Sequence, residues 1–294
     1  MSKRRKSPRT SATAPKREKI RDIYVARPFE GLADEAQWIA LRELVPAASA
    51  PLRVKPEVAA EHGDREIVLS TVLPMALPAM VRQDGTAFVG LQRHVQSGDV
   101  SRDLAAAILA ALGTEPGDTV AVPALAGPGP RLQDVLDDGP LDVTVHEDFG
   151  YWLDAEQAGD PNVSASLERA NASIYPTVRM SAAHAAYWCR VPEKSHVRWV
   201  LAEPEDTALA ALARLSAAGD LRLGDDTRFA GMFRAHGLLV PVWDVPRAPE
   251  ASDWEAPLAD FAKRYADTLA DTTPLDSAAR RAKQGLIGRQ LTLR

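Results

Sequence analysis

Two successive β-hairpin, helix and strand patterns constrain most strongly what this chain can fold into. In the first, residues 79–89 hold two apolar runs around Asp84-Gly85, a dipeptide suited to the positive φ angles of a tight hairpin turn. Residues 66–73 supply a third strand beside this hairpin. A helix capped by Ser101 and closed by Gly113 follows, because its apolar residues recur at helical spacing.

The second pattern repeats this order. Residues 185–191 and 196–201 indicate two strands joined by a short turn, and an alanine- and leucine-rich helix begins near Glu205. A further helix is expected at residues 229–235, before the apolar strand at residues 238–243. The recurrence predicts an α+β fold built from pseudo-duplicated hairpin-helix-strand units.

These patterns divide the chain into segments. Residues 1–22 form a basic tail and residues 23–294 a globular α+β body. The body contains two pseudo-repeats, 52–153 and 174–246, and a C-terminal helical segment, 253–290, made of two helices. Strand-like runs at residues 119–122 and 141–146 complete the first repeat.

Charge is distributed unevenly between the tail and the body. Nine of the first 22 residues are basic, set against Glu18 and Asp22, so the remaining residues carry 26 basic and 38 acidic side chains. The basic residues are Lys3, Arg4, Arg5, Lys6, Arg9, Lys16, Arg17, Lys19 and Arg21. With almost no apolar side chains to bury, the tail is predicted to be disordered.

The composition indicates a soluble cytoplasmic protein. Cys189 is the single cysteine, so no internal disulfide can form, and no apolar segment of signal-peptide or membrane-span length follows the basic residues. The segment after the tail contains Trp38, Leu41 and Val45 at spacings of three and four, which predicts a core-facing helix over residues 36–44 that ends before Pro46.

Three nitrogen- and sulfur-bearing residues form a candidate metal or nucleophile cluster. His184, Cys189 and His196 fall within 13 residues, but strand geometry would place His184 and Cys189 on opposite faces. Apolar neighbours would also keep the thiol protonated. We therefore expect no metal site and no cofactor, and a buried structural cysteine.

Clustered carboxylates provide the other candidates for chemistry. They occur at Asp137-Asp138, His146-Glu147-Asp148 and Asp225-Asp226, each at a predicted turn or strand end. Aspartate is common in turns because its side chain hydrogen-bonds the following backbone. His146, Glu147 and Asp148 precede Phe149, Tyr151 and Trp152, so they are the residues on which an enzyme hypothesis would rest.

Motifs for nucleotide or acyl-transfer chemistry are missing from the sequence. Gly127-Pro128-Gly129-Pro130 lacks the spacing and free amides of a phosphate loop, and neither a Gly-x-Ser-x-Gly elbow nor a His-Glu-x-x-His helix occurs. These observations favour a non-catalytic protein. The tail, which has no aromatic residues for base stacking, predicts salt-sensitive and sequence-independent contact with polyanions.

The entry segment carries a family resemblance. Residues 27–32 (RPFEGL) and 38–48 (WIALRELVPAA) resemble an uncharacterised actinobacterial family, a domain of unknown function, over nearly the whole chain. Residues 207–245 are similar to the enhanced-serine-sensitivity family of small α+β proteins, which implies a fold only. Neither resemblance implies a catalytic residue.

Three functions remain open on these observations. The first is a cytoplasmic binding or adaptor protein whose basic tail makes weak contact with nucleic acid or ribosomes. The second is an enzyme with a pocket between the two repeats that uses His146, Glu147 or Asp148. The third is a self-associating scaffold in which Trp243, Trp254 and the last helices form the contact surface.

Overall fold

Two five-stranded sheets form the framework of the protein. The computed structural model describes residues 22–118, 120–122, 127–154 and 159–288. The first sheet contains β1 (Ala48–Leu52), β2 (Ile67–Val72), β3 (Ala79–Val81), β4 (Ala87–Gln92) and β5 (Thr144–Val145). The second contains β6 (Thr177–Arg179), β7 (Ala186–Arg190), β8 (Ser195–Trp199), β9 (Arg228–Ala235) and β10 (Leu238–Val245). The mixed helices and sheets confirm the α+β class.

Eight α-helices accompany the sheets in the described part of the chain. They are α1 (Glu35–Glu43), α2 (Pro56–His62), α3 (Val100–Leu112), α4 (Leu132–Val135), α5 (Pro161–Asn171), α6 (Glu205–Ala218), α7 (Glu255–Leu269) and α8 (Ser277–Ile287). The last two confirm the predicted pair of C-terminal helices. None of the helices in the described ranges is long and apolar enough to cross a membrane.

The first sheet has the order β3-β4-β2-β1-β5. β3 and β4 form the predicted hairpin, whose turn places Gly85 at φ +90°. β2 is the predicted third strand and pairs with β4 in parallel, while its other neighbour, β1, is antiparallel. Only Thr144–Val145 of the predicted run 141–146 forms a strand, and residues 120–122 have no regular structure.

The second sheet is antiparallel throughout, in the order β6-β7-β8-β10-β9. β7 and β8 are the two strands predicted there, but the helix expected at residues 229–235 is wrong, because this segment is β9. His236 and Gly237 turn the chain with φ angles of 47° and 90°, which directs Leu238 back along β9. The first half of the protein, up to residue 154, and the second half, from residue 159, therefore each contain a hairpin followed by a helix but differ in the strands that complete each sheet.

Helix α3 begins slightly earlier than the sequence suggests. Asp99, rather than Ser101, occupies the N-cap and accepts a hydrogen bond from the N–H of Arg102. The Ser101 hydroxyl instead donates to the side chain of Gln133 at 2.7 Å and accepts from the N–H of Leu132 at 3.0 Å. Ser101 therefore fixes α4 against α3, while Gly113 closes α3 as predicted.

One hydrophobic core extends across both halves of the molecule. Trp38, Ile39 and Leu41 of α1 pack in the same cluster as Tyr187 and Phe233 of the second sheet. The other face of the second sheet is covered by the C-terminal helices, and this second cluster includes Trp243 and Trp254. These two tryptophans are 0% and 8% exposed, so they cannot supply the contact surface expected of them, while self-association through the last helices stays a prediction.

Candidate functional site

His146 lies where the short strand β5 ends, against one face of the first sheet. Its N–H donates to the carbonyl of Ala47 at 2.9 Å, which continues the pairing of β1 with β5. The imidazole ring stacks on the ring of Tyr151, with centroids 4.0 Å apart and planes inclined by 14°. Its Nε2 atom lies 2.7 Å from the hydroxyl oxygen of Ser49.

A row of small residues across the first sheet leaves space for the rings of His146 and Tyr151. Thr144, Ser49, Ser70 and Gly90 are aligned across β5, β1, β2 and β4. Residues that are directly opposed in a sheet lie on the same face. Gly90 is required in this row, because a Cβ atom there would lie 2.6 Å from the carbonyl oxygen of Leu77.

The hydroxyl groups of Ser70 and Tyr151 are hydrogen-bonded to each other next to His146. Ser70 donates its hydroxyl proton to the carbonyl of Val72 at 2.6 Å, so the Tyr151 hydroxyl donates to Ser70 at 2.8 Å. The indole N–H of Trp152 also points to Ser70, at 3.4 Å. Burial raises the pKa of Tyr151, which keeps the phenol protonated.

Ser49 and His146 together have the arrangement of a nucleophile and its general base. The two side chains are within hydrogen-bonding distance, and the stacked Tyr151 ring holds the imidazole in place. Burial lowers the pKa of His146, against the opposing effect of the nearby Asp148 charge. A neutral imidazole at pH 7 is able to accept the proton of the Ser49 hydroxyl.

The three residues predicted together do not converge on one point. Asp148 accepts a hydrogen bond from the N–H of Gly150 at 2.7 Å, the turn role typical of aspartate. Glu147 is exposed to solvent, so only His146 meets another reactive side chain. Ser49 was missed because it is separated from His146 by 97 residues and only strand pairing brings them together.

Cys189 and His196 are brought together, whereas His184 lies elsewhere. Cys189 and His196 are directly opposed on β7 and β8, and Asp244 is opposed to His196 on β10. Nδ1 of His196 lies 3.0 Å from Oδ1 of Asp244, a partner that the sequence did not indicate. Burial raises the pKa of the Cys189 thiol and lowers that of His196. The side chain of His184 contacts Asp34.

The remaining acidic pairs lie in loops. Asp137 and Asp138 line a cavity of about 570 Å³, together with Arg53 and Lys55. Asp137 accepts a hydrogen bond from the N–H of Asp138 at 3.2 Å, and Asp225-Asp226 lies in the connection to β9. Within the described residues, no group of three or more His, Cys, Asp or Glu side chains is placed to hold a metal ion.

The basic residues predicted to contact polyanions, from Lys3 to Arg21, lie outside the described residues. The chain that follows them is attached firmly to the body. The N–H of Val25 donates to the carbonyl of Gly98 at 2.8 Å, and the N–H of Gly98 donates to the Asp22 carboxylate at 2.6 Å. Ile23 and Tyr24, between these contacts, are 65% and 80% exposed.

Comparison with known proteins identifies the family. Residues 28–294 match a family model described as a family of unknown function, DUF5926. The chain belongs to the DUF5926 family. Membership confirms the predicted resemblance to an uncharacterised family, while the similarity of residues 207–245 to the enhanced-serine-sensitivity family stays a prediction. None of the curated proteins or solved structures compared with this DUF5926 member matches it.

Proposed function

We propose that this DUF5926 protein is a cytoplasmic binding or adaptor protein whose basic residues 3–21 contact nucleic acid or ribosomes. Nine cationic side chains in the first 22 residues would displace counterions from a phosphate backbone, which favours binding without sequence readout. The acidic body would repel the same polyanion. Binding is therefore expected to depend on the first 22 residues.

The attachment of residues 22–25 to the Gly98 loop supports this proposal. Hydrogen bonds of 2.6 and 2.8 Å bind this segment to the body, so the basic residues begin at a defined point of the surface. From that point, residues 1–21 can reach at most about 70 Å when fully extended. The basic residues can therefore contact an extended polyanion while the acidic body stays at a distance from it.

The test measures binding of the full chain to a fluorescent 30-nucleotide RNA over a series of salt concentrations. Substituting Lys3, Arg4, Arg5 and Lys6 by Gln should weaken binding at low salt and reduce the slope of log K against log salt by roughly three, at about 0.7 per lost contact for single strands. Equal binding by this variant and the wild type would refute the proposal.

A control variant separates this contact from overall charge. Arg222, Arg247, Lys263 and Arg281 are exposed on the body, so their replacement by Gln changes the net charge by the same amount. This variant should bind RNA with the salt slope of the wild type. If both variants weaken binding equally, the basic tail has no special role.

The contact between Ser49 and His146 favours a second candidate function, ester hydrolysis. In this proposal the Ser49 oxygen attacks an ester carbonyl while His146 takes its proton and returns it to the departing alcohol. Water activated by His146 then releases the acid and restores the serine. Ser49 is only partly buried, so a small reagent is expected to reach its hydroxyl group.

An active-site-directed fluorophosphonate tests this candidate directly. Mass spectrometry should find one adduct, on Ser49, in the wild type and none in Ser49→Ala, with labelling slowed about 100-fold or more in His146→Asn. Ser101→Ala is the control, because Ser101 is fully buried between α3 and α4. Hydrolysis at Ser49 would be excluded if the wild type is not labelled, or if Ser49→Ala and His146→Asn are labelled as fast as the wild type.

A further inference from the structure

A small cleft lies where the second sheet meets the end of α1 and strand β4. Its volume is about 190 Å³. We call it the junction cleft and define it by the polar and aromatic residues that line it, which are Glu43, Gln92, Tyr175, Thr177, Cys189 and Arg198. The cleft is separate from Ser49 and from the attachment of the basic tail.

Strand register brings a second arginine to the same face of the sheet. Arg179 on β6 is directly opposed to Tyr187 on β7, which is directly opposed to Arg198 on β8. Opposed residues share a face, and adjacent strands are about 4.8 Å apart, so the two arginines flank Tyr187 with backbones roughly 10 Å apart. The next row on this face contains Thr177, Cys189 and His196, of which Thr177 and Cys189 line the cleft.

Neither arginine has a protein partner within the described residues. Arg179 and Arg198 are half-buried, yet no hydrogen bond or ion pair joins their guanidinium groups to the described chain. Other arginines of this sheet are paired: Arg190 with Glu250, Arg228 with Asp244, and Arg234 with Glu205. Partly buried charges are normally compensated, so two unpaired guanidinium groups on one face indicate a place for an anion.

The charged groups around Arg179 and Arg198 do not neutralise these two guanidinium groups. Glu43, the carboxylate in the cleft, is held by His236 at 2.9 Å and by Arg42 at 3.4 Å. Burial raises the pKa of Cys189 and Tyr187 and lowers that of His196. The charge of Arg198 acts to lower the pKa of Cys189 and His196, and the charge of Arg179 acts to lower that of Tyr187, against a smaller opposing effect of the Asp34 carboxylate. Both guanidinium charges therefore reach the groups that line this face.

We propose that the junction cleft binds a small phosphomonoester, whose phosphate dianion pairs with Arg198, which lines the cleft, and with Arg179, which lies two strands away on the same face. Two unpaired cations match two negative charges, and planar guanidinium groups bind phosphate oxygens through paired hydrogen bonds. Tyr175, which is 51% exposed at the cleft, offers its ring to the organic part of the ligand. This site is independent of the proposed polyanion contact and of Ser49.

Calorimetric titration of the full chain with phenyl phosphate tests the site. Saturable binding is expected in the wild type, with the affinity reduced about 10-fold or more in Arg198→Gln and in Arg179→Gln. Arg222→Gln is the matched control, because Arg222 is exposed and away from the cleft, and it should bind like the wild type. Phenyl phosphate should also slow the reaction of the buried Cys189 with a thiol reagent, because a ligand bound in the cleft stabilises the closed molecule in which this cysteine is protected.

Further variants keep the test decisive. Arg198→Lys retains the charge without the fork of N–H donors, so it should bind with intermediate affinity even if Arg198→Gln fails to fold. The variant with Lys3, Arg4, Arg5 and Lys6 replaced by Gln should bind phenyl phosphate normally. The proposal is overturned if the wild type shows no saturable binding, if acetate binds equally well, or if only the tail substitutions reduce affinity.

Discussion

Gly98 shows how one missing side chain fixes the position of a whole segment. A Cβ atom at Gly98 would lie 2.7 Å from the Cα of Tyr24 and 2.8 Å from the carbonyl oxygen of Ile23. Both of those atoms belong to the backbone, so they cannot rotate away as the end of a side chain would. The close approach allows the hydrogen bonds of Asp22 and Val25 to form.

Gly98→Ala should therefore detach residues 22–25 from the body. We expect the free energy of unfolding to fall by less than about 3 kcal/mol, because release of the segment avoids the strain of overpacking, and the N–H of Val25 to exchange its hydrogen faster than in the wild type. Unchanged protection of the Val25 N–H would contradict the prediction. Gly139→Ala is the control, since nothing lies within 4 Å of its Cβ position and its φ is not positive.

His146 should make stability depend on pH in the weakly acidic range. Burial lowers its pKa in the folded protein, so the unfolded chain takes up the proton first as the pH falls below about 6.5. The free energy of unfolding should then decrease from pH 7 to pH 5, and His146→Asn should decrease less. Urea denaturation at several pH values measures the difference, and parallel curves for the two proteins would contradict it.

Helix α8 is held at its start by one side chain. The Asp276 carboxylate accepts a hydrogen bond from the N–H of Ala279 at 2.7 Å, and Leu286 near the other end packs in the core beneath α6 and α7. Asp276→Ala should therefore lower the free energy of unfolding by about 1 kcal/mol. Thermal denaturation checks this, with Asp267→Ala on the exposed face of α7 expected to change stability little.

Elements defined by local signals could be predicted from the sequence, whereas one that depends on pairing could not. The Asp84-Gly85 turn and the apolar spacing of α3 were sufficient for the first hairpin and its helix. Residues 228–235 contain arginine, alanine and methionine, which favour a helix locally. Pairing with the strongly apolar β10 and the turn at His236-Gly237 outweigh that preference and make the segment a strand.

The same distinction applies to the candidate sites. His146 was identified because it follows a strand and precedes three aromatic residues. Ser49, Asp244 and the row of Arg179 and Arg198 depend on strand register, which brings together residues far apart in the chain. The pattern of the sequence indicates which residues face one side of a strand, but it does not specify which residue of another strand lies opposite.

At the scale of the whole molecule, the two halves are joined by polar contacts as well as by a shared core. The side chain of Gln37 on α1 donates to the Tyr187 hydroxyl on β7, and both residues are buried. Glu43 pairs with His236 at the β9–β10 turn. Separating the halves would expose these groups together with the apolar surface around them.

We therefore expect the two halves to unfold in one transition. Trp38 and Trp152 lie in the first half and the other four tryptophans in the second, so Trp38→Phe with Trp152→Phe leaves fluorescence that reports on the second half alone. Its urea transition should coincide with that of far-ultraviolet circular dichroism. Two separated transitions would show that the shared core does not make folding cooperative.

The burial of Cys189 between the halves affects how fast the protein oxidises on storage and how its motions can be measured. The thiol is 4% exposed and is the single cysteine of the chain, so covalent dimers through sulfur should accumulate only as fast as the molecule opens. Where the rate of colour formation with Ellman's reagent in native buffer no longer rises with reagent concentration, it equals the rate of that opening, without any engineered label.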